Sequence, residues 1–321
     1  MKKNKYIGVD LGGTKILTAA ADNKGEIISE IKVPTESKLG MEKIKKNIFE
    51  SVYTVMEKGN LHKDEIRAIG VGSPGPLDTE KGIILNSANL PIKNMPIIDL
   101  LENEFNISAR LENDANTAAL GENVFGAGKE AKNLLYITIS TGIGGGIIIN
   151  NDIYYGISGN AGEIGHMIIN PNGPKCGCGN NGCLEAFSSG TAIKNMAENE
   201  LKNNSKSMIN EFIKKSDEIS AEIVAKAAKK GDKLALDIFS KAAYYLGIGL
   251  ANLVNIFNPE MIILGGGVMK AKELFLPQAK EVFKEKALKA PAELVKIREA
   301  ALGDQIGVKG AIAVAMQKVE G

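Results

Sequence analysis

All three cysteines of this 321-residue chain lie in one eight-residue window, ten residues after a histidine. The four residues are His166, Cys176, Cys178 and Cys183. Thiolates and imidazoles are the ligands that Zn²⁺ prefers in closed tetrahedral sites. The glycines between the cysteines allow tight turns that bring several side chains to one point. The spacing predicts a zinc site, and four protein ligands would leave no open position for Lewis-acid chemistry, so the ion is expected to be structural.

Two carboxylates, Glu163 and Glu185, bracket this cluster. A zinc ion bound to one ring nitrogen of His166 leaves the other nitrogen free to hydrogen-bond a ligand. Carboxylates beside an imidazole suit the vicinal hydroxyls of a sugar, because each carboxylate accepts several hydrogen bonds. The alternative interpretation of Glu163 is a solvated loop acid. We interpret the group as one wall of a sugar site.

Three glycine-rich segments each follow a short apolar stretch that is typical of a strand. They are Asp10-Leu-Gly-Gly-Thr-Lys15, Ser140-Thr-Gly-Ile-Gly-Gly-Gly146 and Gly265-Gly-Gly267. Successive backbone N–H groups in such turns form anion-binding concavities. In the first segment Thr14 and Lys15 add a hydroxyl and a positive charge, and Asp10 is suited to hold Mg²⁺ through water. A plain hairpin turn is the alternative for any one segment, but three together predict a nucleotide held from two sides.

Asp114 lies where a predicted strand becomes a predicted helix, directly after Asn113. Asn and Asp are both good helix N-caps, so capping is one interpretation of the pair. The ends of strands are also where α/β sheets place their chemistry. Asp114 is therefore a candidate general base as well as a candidate cap.

The elements that must position these residues alternate between strands and helices. Apolar runs predict strands over 6–10, 15–20, 66–71, 108–114, 134–139, 147–149 and 261–264. Helical periodicity or composition predicts helices over 41–58, 115–124, 233–257 and 307–316. Hairpins occur near the start of each half, which suggests a duplicated architecture. The pattern predicts an α/β protein with mixed sheets rather than purely parallel ones.

The formal net charge of +1 gives no indication of a polyanionic partner. The N-terminal apolar stretch is interrupted at Asp10, so it is too short for a signal peptide. No uninterrupted apolar run approaches the roughly 20 residues of a membrane span. Three clustered cysteines do not resemble a secreted disulfide scaffold. These features predict a soluble cytoplasmic protein that binds neither nucleic acid nor membranes.

Taken together, the ordered segments resemble the ROK family of sugar kinases and sugar-responsive repressors, within the actin/hexokinase/Hsp70 ATPase superfamily. The resemblance covers essentially the whole chain. It rests on Asp10–Lys15, Gly72–Asp78, Glu112–Asn116, Ser140–Gly146, Gly159–His166, Cys176–Glu185 and Leu264–Val268. It implies a two-domain actin-like ATPase fold, related to ribonuclease H, with an interdomain cleft that closes around sugar. The implied domains are residues 1–113 plus about 304–321, and residues 114–303 with the zinc loop over 166–183.

The resemblance also implies a role for each matching residue. Asp114 would be the base near the 6-hydroxyl of the sugar. The other hydroxyls would be bound by Asn113, Glu163, His166 and Glu185, with Gly75 and Asn89 as further candidates. Zinc would be bound by His166, Cys176, Cys178 and Cys183. Nucleotide and Mg²⁺ would be bound by Asp10, Gly12, Gly13, Thr14, Lys15, Thr141, Gly142, Gly266 and Gly267.

The implied activity is ATP-dependent phosphorylation of the 6-hydroxyl of glucose, with Mg²⁺ as cofactor and a homodimer or higher homo-oligomer as the assembly. N-acetylmannosamine and fructose are alternative substrates, and ADP or polyphosphate are alternative donors. The alternative from a different class is a non-catalytic sugar-binding regulator. Repressors of the family carry a helix-turn-helix domain ahead of the first glycine motif. Only nine residues precede Asp10 here, and Asp10 and Asp114 are both present, so we expect the enzyme.

Overall fold

The structure is a computed structural model and describes residues 4–86, 90–203, 206–213 and 218–317. Its strands are β1 Lys5–Leu11, β2 Lys15–Ala21, β3 Ile27–Pro34, β4 Ile66–Ser73, β5 Leu77–Asp78, β6 Ile83–Asn86, β7 Lys93–Met95, β8 Ala109–Asn113, β9 Leu134–Ile139, β10 Ile143–Ile149, β11 Asp152–Ile153, β12 Met261–Gly265 and β13 Lys296–Glu299. Its helices are α1 Met41–Lys58, α2 Ile97–Phe105, α3 Asp114–Phe125, α4 Glu185–Ser188, α5 Gly190–Asn203, α6 Ile209–Ile213, α7 Ala221–Lys229, α8 Lys233–Phe257, α9 Leu276–Lys286, α10 Lys289–Leu294 and α11 Ile306–Met316.

The chain forms two compact units, and neither is a single continuous segment. The first comprises Met1–Lys132, Gly146–Ala161 and Ala300–Gly321. The second comprises Asn133–Gly145 and Gly162–Glu299. Helix α3 lies in the first unit, whereas the sequence-based domain boundary falls at its first residue. The division into domains at residues 113 and 304 stays a prediction.

A mixed five-stranded sheet organises the first unit, in the order β3-β2-β1-β4-β8. Strand β1 is antiparallel to β2, which confirms the predicted hairpin, and parallel to β4. Strand β8 extends the parallel part beside β4. The α/β class with a mixed sheet, predicted from the alternation of strands and helices, is therefore confirmed.

The two faces of this sheet have separate cores, because successive side chains of a strand point to opposite faces. On β2, Ile16 and Ala20 belong to the larger core, which α1 covers. Leu17 and Ala19 belong to a second core with residues of α11. Both faces are thus apolar and covered, as expected for strands in the middle of a sheet.

Glycines let α11 approach this sheet closely. Gly8 on β1 pairs in register with Gly70 on β4, and a Cβ atom at Gly70 would lie 2.0 Å from the backbone oxygen of Ala311. Helix α3 meets α11 at Gly121, where a Cβ atom would lie 2.9 Å from the Cα atom of Gly310. Backbone packs directly on backbone here, and a larger side chain would force the elements apart.

In the second unit, strands β9, β12 and β13 are parallel neighbours in that order, and β10 lies beside β9. Strand β10 runs from the second unit into the first, where it pairs with β11. The predicted strand–turn–strand arrangement over 134–149 is confirmed, although the turn is shorter than predicted. Because β10 begins at Ile143, the expectation that Gly144, Gly145 and Gly146 belong to a turn is wrong.

Close packing explains these strand glycines. A Cβ atom at Gly145 would lie 2.5 Å from Cδ1 of Ile164, and one at Gly146 would lie 2.5 Å from the Cβ atom of Ala119. A glycine run therefore has two interpretations, a turn or a surface that another element approaches. The sequence did not distinguish them at this position.

One helix among the described residues, α8, is long and apolar enough to span a membrane, with a mean hydropathy of 1.3 over its most apolar window. It begins at the cap Asp232 and ends at Asn258, which adopts a left-handed conformation. Its apolar face, including Phe239 and Leu246, is buried against neighbouring helices such as α5 and α9. Helix α8 is therefore a core helix of the second unit. Its range agrees with the predicted helix over 233–257.

Candidate functional site

Three parallel strands of the first unit bring polar residues to one sheet edge. Asp10 near the end of β1 pairs with Gly72 of β4, and Ser73 of β4 pairs with Asn113 at the end of β8. The carboxyl ends of parallel strands are the usual binding edge of an α/β sheet. The structure therefore brings Asp10, Asn113 and Asp114 to the same edge, as the sequence predicts for strand ends.

The Asp10 carboxyl group is largely buried and lies against the first turn of α11. A Cβ atom at Gly307 would lie 2.3 Å from its Oδ2 atom, so only glycine leaves room for it. Burial raises the pKa of Asp10 to about 6, opposed by the positive charge of Lys15 and reinforced by the negative charge of Asp114. Two neighbouring carboxylates at one sheet edge are a favourable donor set for a divalent cation.

The turn after β1 is held in place by its own backbone and by Thr35. The Gly12 N–H donates to the Lys15 carbonyl at 3.0 Å, and the Thr35 hydroxyl donates to the Gly12 carbonyl at 2.6 Å. The Thr35 N–H donates to the Thr14 carbonyl at 3.0 Å. Thr14 itself is exposed, while Gly12 and Gly13 are partly buried. This is a pre-formed tight turn beside a carboxylate, which fits the predicted phosphate and Mg²⁺ site.

At the junction between β8 and α3, different residues take the two roles that the sequence left open for Asp114, helix cap and candidate base. Asn113 is the N-cap, since its Oδ1 atom accepts the Ala115 N–H at 2.9 Å. Asp114 is the first helical residue and is exposed; its Oδ1 also accepts the Ala115 N–H, at 2.8 Å. Gly75 lies beside this junction, because a Cβ atom there would be 3.6 Å from the Asn113 side-chain nitrogen. Asn89 lies outside the described residues.

A buried carboxylate next to this junction has no assigned role in the sequence-based prediction. Glu112 is 2% exposed and accepts hydrogen bonds from the Asn113 N–H at 2.8 Å and the Asn116 side chain at 3.0 Å. The Tyr155 hydroxyl donates to its other oxygen at 2.8 Å. An ionisable residue inside an apolar strand was the available signal for Glu112, whereas Tyr155 carries no signal that a single sequence offers.

In the second unit, two of the predicted glycine segments are neighbours because β9 and β12 are paired. A Cβ atom at Gly266 would lie 2.3 Å from the Ile139 carbonyl oxygen, and one at Gly267 would lie 3.7 Å from Oγ of Ser140. The Gly190 N–H donates to the Ser140 carbonyl at 2.7 Å, and the Thr191 N–H to the Thr141 carbonyl at 3.1 Å. Thr141, Gly142, Gly266 and Gly267 are thus brought together at one strand end, and the start of α5 supports the turn.

The four predicted zinc ligands converge within the second unit. Their donor atoms, from His166, Cys176, Cys178 and Cys183, all lie within 4.8 Å of one another. The Cys176 Sγ atom is 3.6 Å from His166 Nδ1, and the Sγ atoms of Cys178 and Cys183 are 3.6 Å apart. Ligands at about 2.0–2.3 Å from a tetrahedral Zn²⁺ are roughly 3.5 Å apart, so the cluster fits this ion.

Local backbone geometry explains how so short a segment forms the cluster. Gly179 and Gly182 have φ values of 97° and 77°, a region that side-chain-bearing residues rarely adopt. A Cβ atom at Gly182 would also lie 1.6 Å from the Asn170 carbonyl oxygen. Burial raises the pKa of the Cys176 thiol, and burial likewise raises that of Cys183, to about 12. A metal ion is the partner that would stabilise their thiolate forms.

The two carboxylates beside the cluster differ in their surroundings. Glu163 is exposed, with Oε2 3.8 Å from Nε2 of His166, the nitrogen that faces away from the thiols. Glu185 accepts the Ile143 N–H on Oε2 at 2.8 Å, and its Oε1 lies 3.8 Å from Sγ of Cys176. Glu185 therefore connects the cysteine cluster to the glycine turn at Thr141–Gly142, a contact that the sequence analysis did not anticipate.

Comparison with known proteins agrees with these features. The model of the ROK family matches residues 6–318. A glucokinase of Halalkalibacterium halodurans is 39% identical over 97% of this chain and 94% of that protein. A xylose repressor of Caldicellulosiruptor bescii is 34% identical over 96% of this chain, which spans 77% of the repressor. A ROK family glucokinase of Streptomyces griseus, solved in complex with glucose and AMPPNP, has a TM-score of 0.79 and 34% identity, with 98% of this chain and 100% of that one covered.

Proposed function

Because this chain belongs to the ROK family, we propose that it is a glucokinase, which transfers the γ-phosphoryl group of ATP to the 6-hydroxyl of glucose. The observation that carries the proposal is the exposed Asp114 carboxylate, placed at the same sheet edge as Asp10 and the tight turn before Lys15. The whole-length similarity to a glucokinase and the likeness to a glucokinase that binds glucose and AMPPNP support the same conclusion.

We propose Asp114 as the general base. Phosphoryl transfer has a loose transition state, so the enzyme contributes mainly positioning and charge neutralisation. The Asp114 carboxylate is exposed, so it can accept the hydrogen bond of the sugar hydroxyl and take its proton late in the reaction. The capping hydrogen bond of Asn113 fixes the first turn of α3 and thereby the direction of the Asp114 side chain.

The residues proposed for nucleotide binding are those of the three predicted glycine segments. The tight turn at Gly12, Gly13 and Thr14 offers backbone N–H groups to phosphate oxygens, with Lys15 nearby as a cation. Thr141 and Gly142 are proposed for the phosphates, and Gly266 and Gly267 for the nucleoside. Asp10 would hold Mg²⁺, which, when bound, neutralises charge on the phosphates.

The sugar hydroxyls are proposed to bind Asn113, Glu163, His166 and Glu185, with Gly75 at the edge of the site. Zinc at His166 and the three cysteines would hold the imidazole ring in one orientation, with Nε2 facing the ligand side. Four protein ligands would fill all positions of a tetrahedral ion, so its role would be structural. Asn89 stays a sequence-based candidate.

A coupled ADP-release assay with ATP tests the function across glucose, mannose, fructose and N-acetylmannosamine. We expect the highest kcat/KM with glucose, and ³¹P NMR should identify a 6-phosphate ester. A clear preference for fructose or N-acetylmannosamine would reassign the substrate within the same reaction class. If the protein binds sugar but releases no ADP from ATP with any of these hexoses, the kinase proposal would be overturned in favour of a regulator. Formation of the sugar phosphate, measured by ³¹P NMR with ATP, ADP or polyphosphate in turn, identifies the donor.

A cytoplasmic location and a homodimeric assembly are part of the same proposal. The assembly is expected from the family resemblance, and the location from the clustered cysteines, which do not resemble a secreted disulfide scaffold. Cell fractionation tests the location, and light scattering on the purified protein tests the assembly.

A further inference from the structure

Glu112 is a buried acid that the proposed reaction does not use. It lies two residues before Asp114 and is only 2% exposed. An ionised carboxylate in such a place is costly unless donors compensate for the lost water. Three donors do so here, namely the Asn113 N–H, the Asn116 side-chain amide and the Tyr155 hydroxyl.

These donors flank the proposed base on both sides. The Asn113 N–H belongs to the residue before Asp114, and Asn116 lies two residues after it on the first turn of α3. A carboxylate that binds both therefore fixes the strand-to-helix junction around the base. Burial raises the pKa of Glu112, and burial together with the Glu112 charge raises the pKa of Tyr155, so the phenol stays protonated and donates.

Tyr155 also fixes a second segment. Its carbonyl accepts the Ala161 N–H at 3.1 Å, which closes a loop whose residues 156–160 are exposed. Glu163, one of the proposed sugar ligands, lies two residues after Ala161 in the chain. The Tyr155 hydroxyl thus links the loop that leads to Glu163 with the junction that carries Asp114.

We propose that Glu112 and Tyr155 are positioning residues, which hold the Asp114 junction and the 155–161 loop in the geometry needed for phosphoryl transfer to the sugar. This inference rests on the proposed kinase function. It concerns hydrogen-bond geometry rather than the negative charge of Glu112, and that distinction can be tested with matched variants.

Glu112→Gln is the variant that conserves the geometry. Its amide oxygen can accept the Asn113 and Asn116 donors, and its amide nitrogen can donate to the Tyr155 oxygen, because a phenol both donates and accepts. Tyr155→Phe removes one hydrogen bond to a charged group, and Glu112→Ala removes all three. Tyr154→Phe is the control, since Tyr154 is the adjacent tyrosine, is exposed as Tyr155 is, and has no side-chain hydrogen bond among the described residues.

Steady-state kinetics of these four variants and of the double variant Glu112→Gln/Tyr155→Phe should be measured with hexose and ATP, well below their melting temperatures. We expect Tyr155→Phe to lower kcat by about 10-fold and to raise the KM for sugar, because a hydrogen bond to a charged group contributes roughly 1.5–3 kcal/mol. The KM for ATP should stay unchanged. Glu112→Gln should stay within about threefold of the wild type, as should Tyr154→Phe, whereas the double variant Glu112→Gln/Tyr155→Phe should be impaired.

Wild-type kcat and sugar KM in Tyr155→Phe would overturn the inference. Glu112→Gln as impaired as a folded Glu112→Ala would also overturn it, since the charge would then matter more than the geometry. If Glu112→Ala does not fold, Tyr155→Phe, Glu112→Gln and their double variant still decide the question. If Tyr155 and Glu112 contributed to stability alone, their variants would have lower melting temperatures but the same kcat as the wild type.

Backbone hydrogen exchange separates this inference from the proposed function. Peptides covering residues 110–118 and 154–162 should exchange faster in Tyr155→Phe than in the wild type and in Tyr154→Phe. A wild-type protein that phosphorylates no hexose would overturn the kinase proposal without changing this exchange result. Unchanged exchange in Tyr155→Phe would overturn the positioning inference even if the kinase is active.

Discussion

Three carboxylates near one sheet edge differ because their surroundings differ. Asp114 is exposed, Asp10 is partly buried beside a lysine, and Glu112 is buried among three hydrogen-bond donors. Groups of the same chemistry take different roles when burial and neighbours shift their pKa values apart. The exposed acid suits proton transfer, the partly buried one suits a cation, and the enclosed one suits positioning.

Replacing Asp114 with Asn tests its role as the base. The amide keeps the size and can still face the sugar but cannot take a proton. We expect kcat to fall by at least about 100-fold, the low end for general acid–base catalysis, with little change in sugar affinity. Asp99→Asn is a matched control, because Asp99 is an exposed acid in the first turn of α2. Near-wild-type turnover of Asp114→Asn would refute the assignment.

Replacing Asp10 with Asn should separate stability from activity. Its pKa in the folded protein is about 6, above the ordinary value of 3.8, so ionisation opposes folding. The contribution of Asp10 to stability is therefore complete below about pH 3.8 and is lost as the pH rises through 6. Without Mg²⁺ and nucleotide, we expect Asp10→Asn to be more stable than wild type by about 2–3 kcal/mol at pH 7.5.

Urea unfolding at pH 7.5 and 4.5 measures this difference, which should shrink at the lower pH. The same variant should lose kinase activity, since it lacks the carboxylate proposed for Mg²⁺. A variant that is less stable than wild type at pH 7.5 would contradict the pKa argument, whatever its activity.

At the scale of elements, the metal cluster and the glycine turn form one connected structure within the second unit. Cys183 lies two residues before Glu185, the first residue of α4, and Glu185 accepts the Ile143 N–H. The turn that contains His166 packs on the same strand, since a Cβ atom at Gly165 would lie 2.1 Å from the Ile143 carbonyl oxygen. Loss of a bound metal should therefore disturb the glycine turn as well as the residues proposed to bind sugar.

Removing zinc should weaken nucleotide binding in addition to sugar binding. We expect the Kd for AMPPNP, measured by calorimetry without sugar, to rise by about 10-fold, because a hydrogen bond to a charged group contributes roughly 1.5–3 kcal/mol. Metal analysis should find about one zinc per chain before chelation, and added zinc should restore the affinity. Metal-free protein with unchanged AMPPNP affinity would show that the cluster and the turn are independent.

At the scale of the whole molecule, local signals predicted much of the fold and part of the site. The zinc ligands lie within 18 residues, and the strands that end at Asp10 and Asn113 are apolar runs, so short-range patterns were sufficient. Contacts between distant segments were not predicted. The Tyr155–Glu112 hydrogen bond joins residues 43 apart, and spacing carries no information on such pairs.

Glu122 also makes contacts that the sequence did not predict, with residues much further along the chain. It is fully buried in α3, and one of its oxygens accepts the N–H groups of Ala301 and Leu302 at 2.9 Å each, about 180 residues further along the chain. These bonds fix the segment that leads into α11. A sequence pattern predicts that α11 is an apolar helix, but not which sheet it covers.

Deleting residues 300–321 should therefore unfold the first unit rather than remove a dispensable tail. The truncated protein would expose the apolar faces of β1, β4 and α3 and would leave Glu122 buried without these donors. We expect insoluble protein on expression, judged against the full chain by the soluble fraction and far-UV circular dichroism. Soluble truncated protein with an undiminished helix and strand signal would contradict this expectation.

The position of α11 also sets an order of events during synthesis. Helix α11 follows β1 by about 300 residues, yet it covers one face of the sheet to which β1 belongs. At about 5–20 residues per second, the ribosome produces that helix roughly 15–60 s after the strand. For that interval a nascent chain carries an uncovered apolar sheet, which makes this surface a natural target for chaperones.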